Sequence, residues 1–196
     1  MTMFRAGRPQ VFLADCSEFQ PDIADAVYLK WSKAIVIRAM YGDAHDDGAW
    51  YGGARREDLH AGGVRFLGIY QFIVPDQDAA TQARALVDLL GPLRPGELPI
   101  GDLETGGAGQ LARWDAWSQV IREAYGITPW LYSGLDFARA QGLSPQWVAA
   151  YQSSPPDVPH LMWQFSESYE VPGVGVADCS VFSGTIAQLA AHAHQG

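Results

Sequence analysis

The sequence predicts an α/β fold: an irregular, TIM-like β/α barrel of eight strands, with helices missing or shortened in its second half. Three observations lead there. Eight short apolar runs rich in Val, Ile, Leu and aromatic residues recur along the chain, more continuous than alternating, as parallel strands covered on both faces read. Amphipathic helical stretches separate the first five. The 196 residues fall short of the ~250 typical of a complete barrel, and the links after the fifth strand are short or proline-rich.

The elements follow in order. Residues 1–10 read as a tail and 11–196 as a single barrel domain. Val11–Asp15 is a first strand ending in an acid, and a weak helical pattern covers Asp22–Trp31. Ala34–Ala39 is a second strand with Arg38 near its end; Trp50–His60 reads as a helix stopped by Gly62-Gly63. Val64–Val74 is a third strand carrying Tyr70 and Phe72 on one face. Asp76 is the expected N-cap of a helix whose Ala79, Ala83, Leu86, Val87 and Leu90 recur at helical spacing before Gly91. Pro99–Glu104 is a fourth strand, followed by a helix with Leu111, Trp114, Trp117, Ile121 and Ala124 inward and Gly126 at its end. Pro129–Ser133, Trp147–Tyr151, Leu161–Phe165 and Gly175–Phe182 complete the strands, and Thr185–His194 closes the chain as a helix.

Composition narrows the function. Hydrophobic residues make up 48% and charged residues only 18%, which suits a chain with a sizeable core. A formal charge of −9 excludes a phosphate-binding surface for nucleic acid and electrostatic attachment to anionic membranes. No apolar run reaches membrane-spanning length, and Val11–Ala14 is too short for a signal-peptide core. No export signal is therefore expected. Seven Trp and eight Tyr are many for this length, and aromatic faces are what sugar rings stack on.

The strand ends supply the candidate site. Asp102 and Glu104, two residues apart on one strand, point the same way, with Cα atoms roughly 6.6 Å apart. Two carboxyls aimed together can divide their roles, one keeping a proton and the other its charge. A barrel places the C-terminal ends of its strands at one mouth. Asp15 and Asp178, on the first and last strands, become neighbours on closure. Arg38, Tyr70, Tyr132, Tyr151, Trp163 and Gln164 end other strands and ring the four acids. Acids ringed by aromatics fit oligosaccharide cleavage.

With these residues assembled, the chain resembles the glycoside hydrolase family 25 lysozymes, the Chalaropsis-type muramidases. The likeness spans Val11 to Gly184 and rests on Asp15-x-Ser17-x-x-Gln20, Ile37-Arg38-Ala39, Gly68-Ile-Tyr-Gln-Phe72, Asp102-x-Glu104, Leu131-Tyr-Ser-Gly134, Trp163-Gln164 and Asp178-Cys-Ser-Val-Phe182. The resemblance implies cleavage of the β-1,4 bond between N-acetylmuramic acid and N-acetylglucosamine in cell-wall peptidoglycan. Glu104 would be the general acid, and Asp102 would steady either a covalent intermediate or the substrate's acetamido group. Asp15 and Asp178 would order the site's charge; Arg38, Tyr70, Phe72, Tyr132, Tyr151, Trp163 and Gln164 would bind substrate. No cofactor and no metal are expected, and a monomer is expected. The chain departs from the pattern at Gln71, where many relatives have His, and at Glu18-Phe19, where His-Trp is commoner; both read as rim positions.

Two alternatives stay open: a sugar-binding barrel without turnover, and a metal-dependent phosphoesterase using Asp15, Asp102, Glu104 and Asp178. Ala14-Asp-Cys-Ser17 recurs as Ala177-Asp-Cys-Ser180, which places Cys16 and Cys179 on adjacent strands facing outward. Two buried free thiols are expected there; a disulfide requires Cα atoms within ~7 Å. The five His residues are dispersed, so a zinc site is not expected. Without a signal peptide, the expectation is a cytoplasmic product that reaches the wall after release, as phage lysins do, or a secreted enzyme if the sequence is trimmed.

Overall fold

A computed structural model describes residues 9–20, 22–46 and 54–194. The first eight residues of the tail and the start of the helix expected from Trp50 lie outside the described residues. Within them the strands are β1 Val11–Cys16, β2 Ala34–Tyr41, β3 His45–Asp46, β4 Phe66–Phe72, β5 Glu97–Asp102, β6 Trp130–Gly134, β7 Trp147–Ala149, β8 Met162–Val171 and β9 Gly175–Phe182. The helices are α1 Asp25–Trp31, α2 Ala54–Ala61, α3 Ala79–Leu90, α4 Gln110–Tyr125, α5 Leu135–Gln141 and α6 Ile186–Ala191, with a 3-10 turn at His192–His194.

Eight strands close a barrel, because β1 pairs with both β2 and β9 and the order runs β1-β9-β8-β7-β6-β5-β4-β2. β3 is an extra two-residue strand, antiparallel to the end of β2. The expected eight-stranded barrel is present, with one change of direction. β9 runs antiparallel to both of its neighbours. Its link to β8 is only Pro172-Gly173-Val174, closed by a Val174 N–H to Val171 carbonyl bond. A parallel return needs a crossover of a dozen residues or more, so this link forces a hairpin. Gly173 has φ +81°. It donates no side chain, so its carbonyl can take the Ala24 amide at 2.7 Å where a Cβ would sit 2.8 Å from the Tyr28 nitrogen.

Strand alternation sorts the core into layers. Leu13, Val36, Phe66, Leu98, Ile100, Trp130, Trp147, Met162 and Phe182 fill the barrel. Ile35, Ile37, Leu67, Ile69 and Leu131 face outward beneath the helices, against Leu86, Trp117 and Ile121. The second half is short of helices as expected, although a seven-residue α5 follows Gly134 where none was anticipated. Among the described residues the link from β7 to β8 carries no helix. There Val148, Trp163, Phe165, Cys179 and Val181 form a separate outer cluster, packed with Phe12 and Trp31.

One local expectation is corrected and one is met. The N-cap of α3 is Asp78, not Asp76: its Oδ1 takes the Thr81 amide and hydroxyl, each at 2.7 Å. Cys16 and Cys179 do face outward, buried and with free thiols. Cys179 stands opposite Ala14, two residues from Cys16. Such diagonal neighbours are ~7–8 Å apart, beyond comfortable bridging distance. Burial pushes the Cys179 thiol up to about 12.

Candidate active site

β5 builds the centre of the mouth. Leu98, Ile100 and Asp102 alternate inward, and the strand ends at Asp102 rather than at Glu104. Extended geometry nevertheless continues one residue further. The Leu103 amide bonds the Tyr132 carbonyl at 3.0 Å, and Ser133 Oγ donates to the Leu103 carbonyl at 2.7 Å. Glu104 therefore keeps the facing that alternation predicts. Behind the strand, Gly101 makes room for α4: a Cβ there would lie 2.8 Å from the Trp114 ring.

Asp15 and Asp178 are directly opposite each other across β1 and β9. The expected adjacency holds, but by a different route. Because β9 is reversed, Asp178 reaches the mouth from the first half of its strand, not from its C-terminal end. A cavity of about 180 Å³ is lined by Asp15, Asp102, Glu104 and Asp178 together with Arg38, Tyr41, Tyr70, Phe72, Tyr132 and Trp147. It adjoins a shallower depression of about 490 Å³ that shares Glu104 and Tyr132 and runs past Tyr151, Gln152 and Phe137 of α5. A depression of about 880 Å³ lies elsewhere, lined by Pro92, Leu93, Tyr125 and Ile127. Its charged lining residue, Arg94, is paired with Glu57, so it offers no acid–base chemistry.

The electrostatics of the mouth are those of crowded, desolvated acids. Burial, then the neighbouring Asp178, hold Asp15 well above the usual carboxylate range. Burial followed by the charges of Glu104 and Asp15 does the same to Asp102, against a lowering by Arg38. Glu104 is raised by burial and by Asp178. Asp102 is 5% exposed, and its Oδ1 is buried with no hydrogen-bond partner among the described residues. A buried orphan acceptor is costly and asks for a donor from outside the fold. Among the described residues, no group of three His, Cys, Asp or Glu is arranged to hold a metal ion.

The ring of predicted contacts divides. Tyr70, Phe72 and Tyr132 line the cavity as expected. Arg38 also lines it, paired with Glu18 and lying 5.7 Å from the Phe19 ring and 5.8 Å from that of Tyr41. Tyr151 stands at the rim, 53% exposed. Gln164 faces the mouth but is fully buried. Trp163 is not brought to the mouth. It lies on the opposite face of β8, is 1% exposed in the outer cluster, and donates Nε1–H to the Ala150 carbonyl at 2.7 Å. Gln71 is likewise no rim residue. It is wholly buried, donating to the Gly42 and Gln82 carbonyls and accepting from Trp117 Nε1.

Tyr41 and Trp147 are lining residues that sequence reasoning did not single out. A bulge between Arg38 and Met40 turns both Ala39 and Met40 outward and returns Tyr41 to the inner face, where it stacks on Phe72 at 4.7 Å. Trp147 packs on Tyr132 at 4.3 Å and donates to Ser180 Oγ. It begins β7, and its sharing of Tyr151's face under strand alternation was the available signal.

The comparisons agree with this geometry. The family model described as "Glycosyl hydrolases family 25" matches residues 14–174. The chain belongs to that family. It is therefore a glycoside hydrolase by descent. No curated protein matches the sequence. Among solved structures, the bacterial lysozyme of Streptomyces coelicolor superposes with a TM-score of 0.81 at 23% identity, over 93% of this chain and 96% of that one. A family 25 lysozyme from Aspergillus fumigatus gives 0.80 at 24%, over 96% and 100%. The catalytic domain of an endolysin from a bacteriophage of Listeria monocytogenes gives 0.79 at 18%, over 93% and 98%. At these identities the likeness establishes the barrel fold.

Proposed function

We propose that this family 25 hydrolase is a muramidase that cleaves the β-1,4 bond between N-acetylmuramic acid and N-acetylglucosamine in peptidoglycan. The observation that carries the reading is Asp102: a buried carboxyl beside Glu104 that lines the cavity, with one oxygen lacking a partner among the described residues. An acetamido N–H of the sugar is a donor of the right kind for that oxygen. Its arrival favours ionised Asp102 and leaves the shared proton on Glu104.

Glu104 then donates its proton to the glycosidic oxygen as the bond from the anomeric carbon breaks. The acetamido carbonyl oxygen bonds to that carbon, while Asp102 accepts from the acetamido N–H and offsets the positive charge. Water next attacks the anomeric carbon, breaking its bond to the acetamido oxygen, and gives its proton to the Glu104 carboxylate, which restores both the acetamido group and the acid. Direct attack by Asp102 in place of the acetamido oxygen gives the same retained configuration.

Asp15 and Asp178 keep the far side of the cavity negative. Tyr70, Phe72, Tyr132 and Tyr151, with Arg38, supply faces and polar edges for the sugars. Two adjoining depressions suit the interior of a polymer better than its end. No helix among the described residues is long and apolar enough to cross a membrane. The reading places a monomeric enzyme on the wall after release from the cell.

Release of reducing ends from purified peptidoglycan tests this, comparing wild type with Glu104→Gln, each with and without chelator. Release by the wild type alone, indifferent to chelator, supports the assignment. Chelator-sensitive release would transfer the carboxyls to metal chemistry. Binding without release from several wall types would leave a sugar-binding barrel.

A further inference from the structure

Gln164 was expected to touch substrate, yet every hydrogen-bonding position on its amide is occupied by protein. Nε2 donates to Asp15 Oδ2 at 3.0 Å and to Asp178 Oδ2 at 3.3 Å. Oε1 accepts from Tyr132 at 2.8 Å and from Tyr151 at 3.0 Å. A carboxamide has two N–H donors and two lone pairs, so this set exhausts it. The orientation is dictated by chemistry: a flipped amide would aim its oxygen at two carboxyls. We propose that Gln164 is a positioning residue, a clamp that holds the Asp15–Asp178 pair and through Asp178 acts on Glu104, and that it does not bind substrate. The proposal rests on the glycosidase reading of this mouth.

Three features of the fold point the same way. Asp15 and Asp178 are cross-strand partners in register, an arrangement in which like charges repel. Burial raises the proton affinity of both, and the charge of Asp178 raises that of Asp15 further. Gln164 sits at the last regular pair before the β8–β9 register shift, opposite Ser180, so its side chain reaches across the seam where the sheet reverses. It thereby ties β1, β6, β8, β9 and the segment after β7 into one network.

The groups facing this pair are Arg38 from β2, Tyr70 from β4, Asp102 from β5 and Glu104 just after it, Tyr132 from β6, Tyr151 after β7 and Glu167 from β8. Amide N–H groups favour ionised carboxylates. The Gln164 bond thus favours the charged form of Asp178 against the burial that raises its proton affinity, and that charge in turn favours the proton on Glu104.

The test is Gln164→Leu, read three ways. The first is kcat and KM for reducing-end release across pH. The second is affinity for peptidoglycan in a Glu104→Gln background. The third is titration of the side-chain carboxyls by carbon-13 NMR. The clamp predicts a kcat loss of roughly 10- to 100-fold, with KM and affinity changed by less than about twofold. Asp15 and Asp178 titrate at higher pH, and the acid limb of the profile moves with them. Affinity weakened about tenfold with kcat retained would make Gln164 a substrate ligand and overturn the proposal; so would unchanged kcat and titrations. If Gln164→Leu does not fold, Tyr151→Phe removes one donor to Oε1 at a half-exposed ring and should move the same titrations less far in the same direction. Unmoved titrations there also refute the clamp. A wild type that releases no reducing ends defeats the muramidase reading, while the carboxyl titrations still decide the clamp.

Discussion

The two halves of the barrel solve one packing problem differently. From β1 to β6 the outer face is covered by helices, and α3 and α4 press Leu86, Trp117 and Ile121 onto the sheet. From β7 to β9 side chains stand in for helices, with Trp163 and Phe165 packed edge to face in the outer cluster. The polar groups divide the same way. The helix-covered half holds Asp102 with an orphan oxygen and raised proton affinity, a local cost borne by a well-braced strand. In the helix-poor half, Trp147, Trp163, Tyr151 and Gln164 all have partners, Gln164 also holding Tyr132 of β6, and those bonds do the bracing. Strain is placed where the scaffold is thick, and satisfied networks where it is thin.

The sharpest way to break this comparison is Asp102→Asn. Activity on peptidoglycan should fall by about 10²–10³-fold, as when a transition-state contact is removed. Stability at neutral pH should rise, read as a higher Tm. The sign follows from the raised proton affinity: a carboxyl whose folded pKa exceeds its unfolded value costs stability wherever it must ionise, above the unfolded value. A lower Tm would mean that Asp102 is not a strained group.

Trp163→Ala tests the other half. Loss of an aromatic that substitutes for a helix should cost about 3–5 kcal/mol in urea unfolding. Trp163→Phe should lose about 1 kcal/mol, for the bond to Ala150. KM per folded molecule should not change in either. An intact fold with a raised KM would return Trp163 to the substrate.

Glu97, at the start of β5, measures the bracing of the helix-covered half. Its side chain is fully buried and takes Arg56 Nε at 2.7 Å, His60 Nε2 at 2.8 Å and the Arg94 amide at 2.7 Å. Burial pushes its carboxyl up, but the Arg56 and Arg94 hydrogen bonds outweigh this and leave it below the usual value of 4.5. Glu97→Gln should cost about 3 kcal/mol by leaving Arg56 under-compensated. A lowered folded pKa gives stability that is present above the unfolded value and lost as pH falls through the folded one. The gap between wild type and variant should therefore shrink below about pH 4.5 in acid-unfolding curves.

The smallest expected effect is that of Glu18→Gln at the rim. Removing this partner strengthens the field of Arg38 on Asp102 and moves the acid limb of the pH profile to lower values by less than about one unit. A shift to higher pH would place Glu18, not Arg38, in control of that carboxyl.

Much of this was legible in the residues. Continuous apolar runs predicted the strands, helical spacing predicted α3 and α4, and period-two alternation aligned Asp102 with Glu104, because all three are local consequences of backbone geometry. Strand order also followed, since closure makes first and last strands neighbours. What the sequence could not state were events decided between segments. The reversal of β9 depends on which strand it pairs with, although Pro172-Gly173-Val174 was a usable hairpin signal. The bulge that turns Tyr41 inward is a register slip between β2 and β4, invisible along either strand. Trp163 and Gln164 are adjacent in the chain, but only the missing helix outside β7 and β8 sends the tryptophan to cover the sheet, leaving the glutamine to the mouth. Residue chemistry alone determined which groups could act as acid, clamp or cover. Tertiary structure assigned those roles, because facing, burial and partners belong to pairs of strands rather than to positions in a chain.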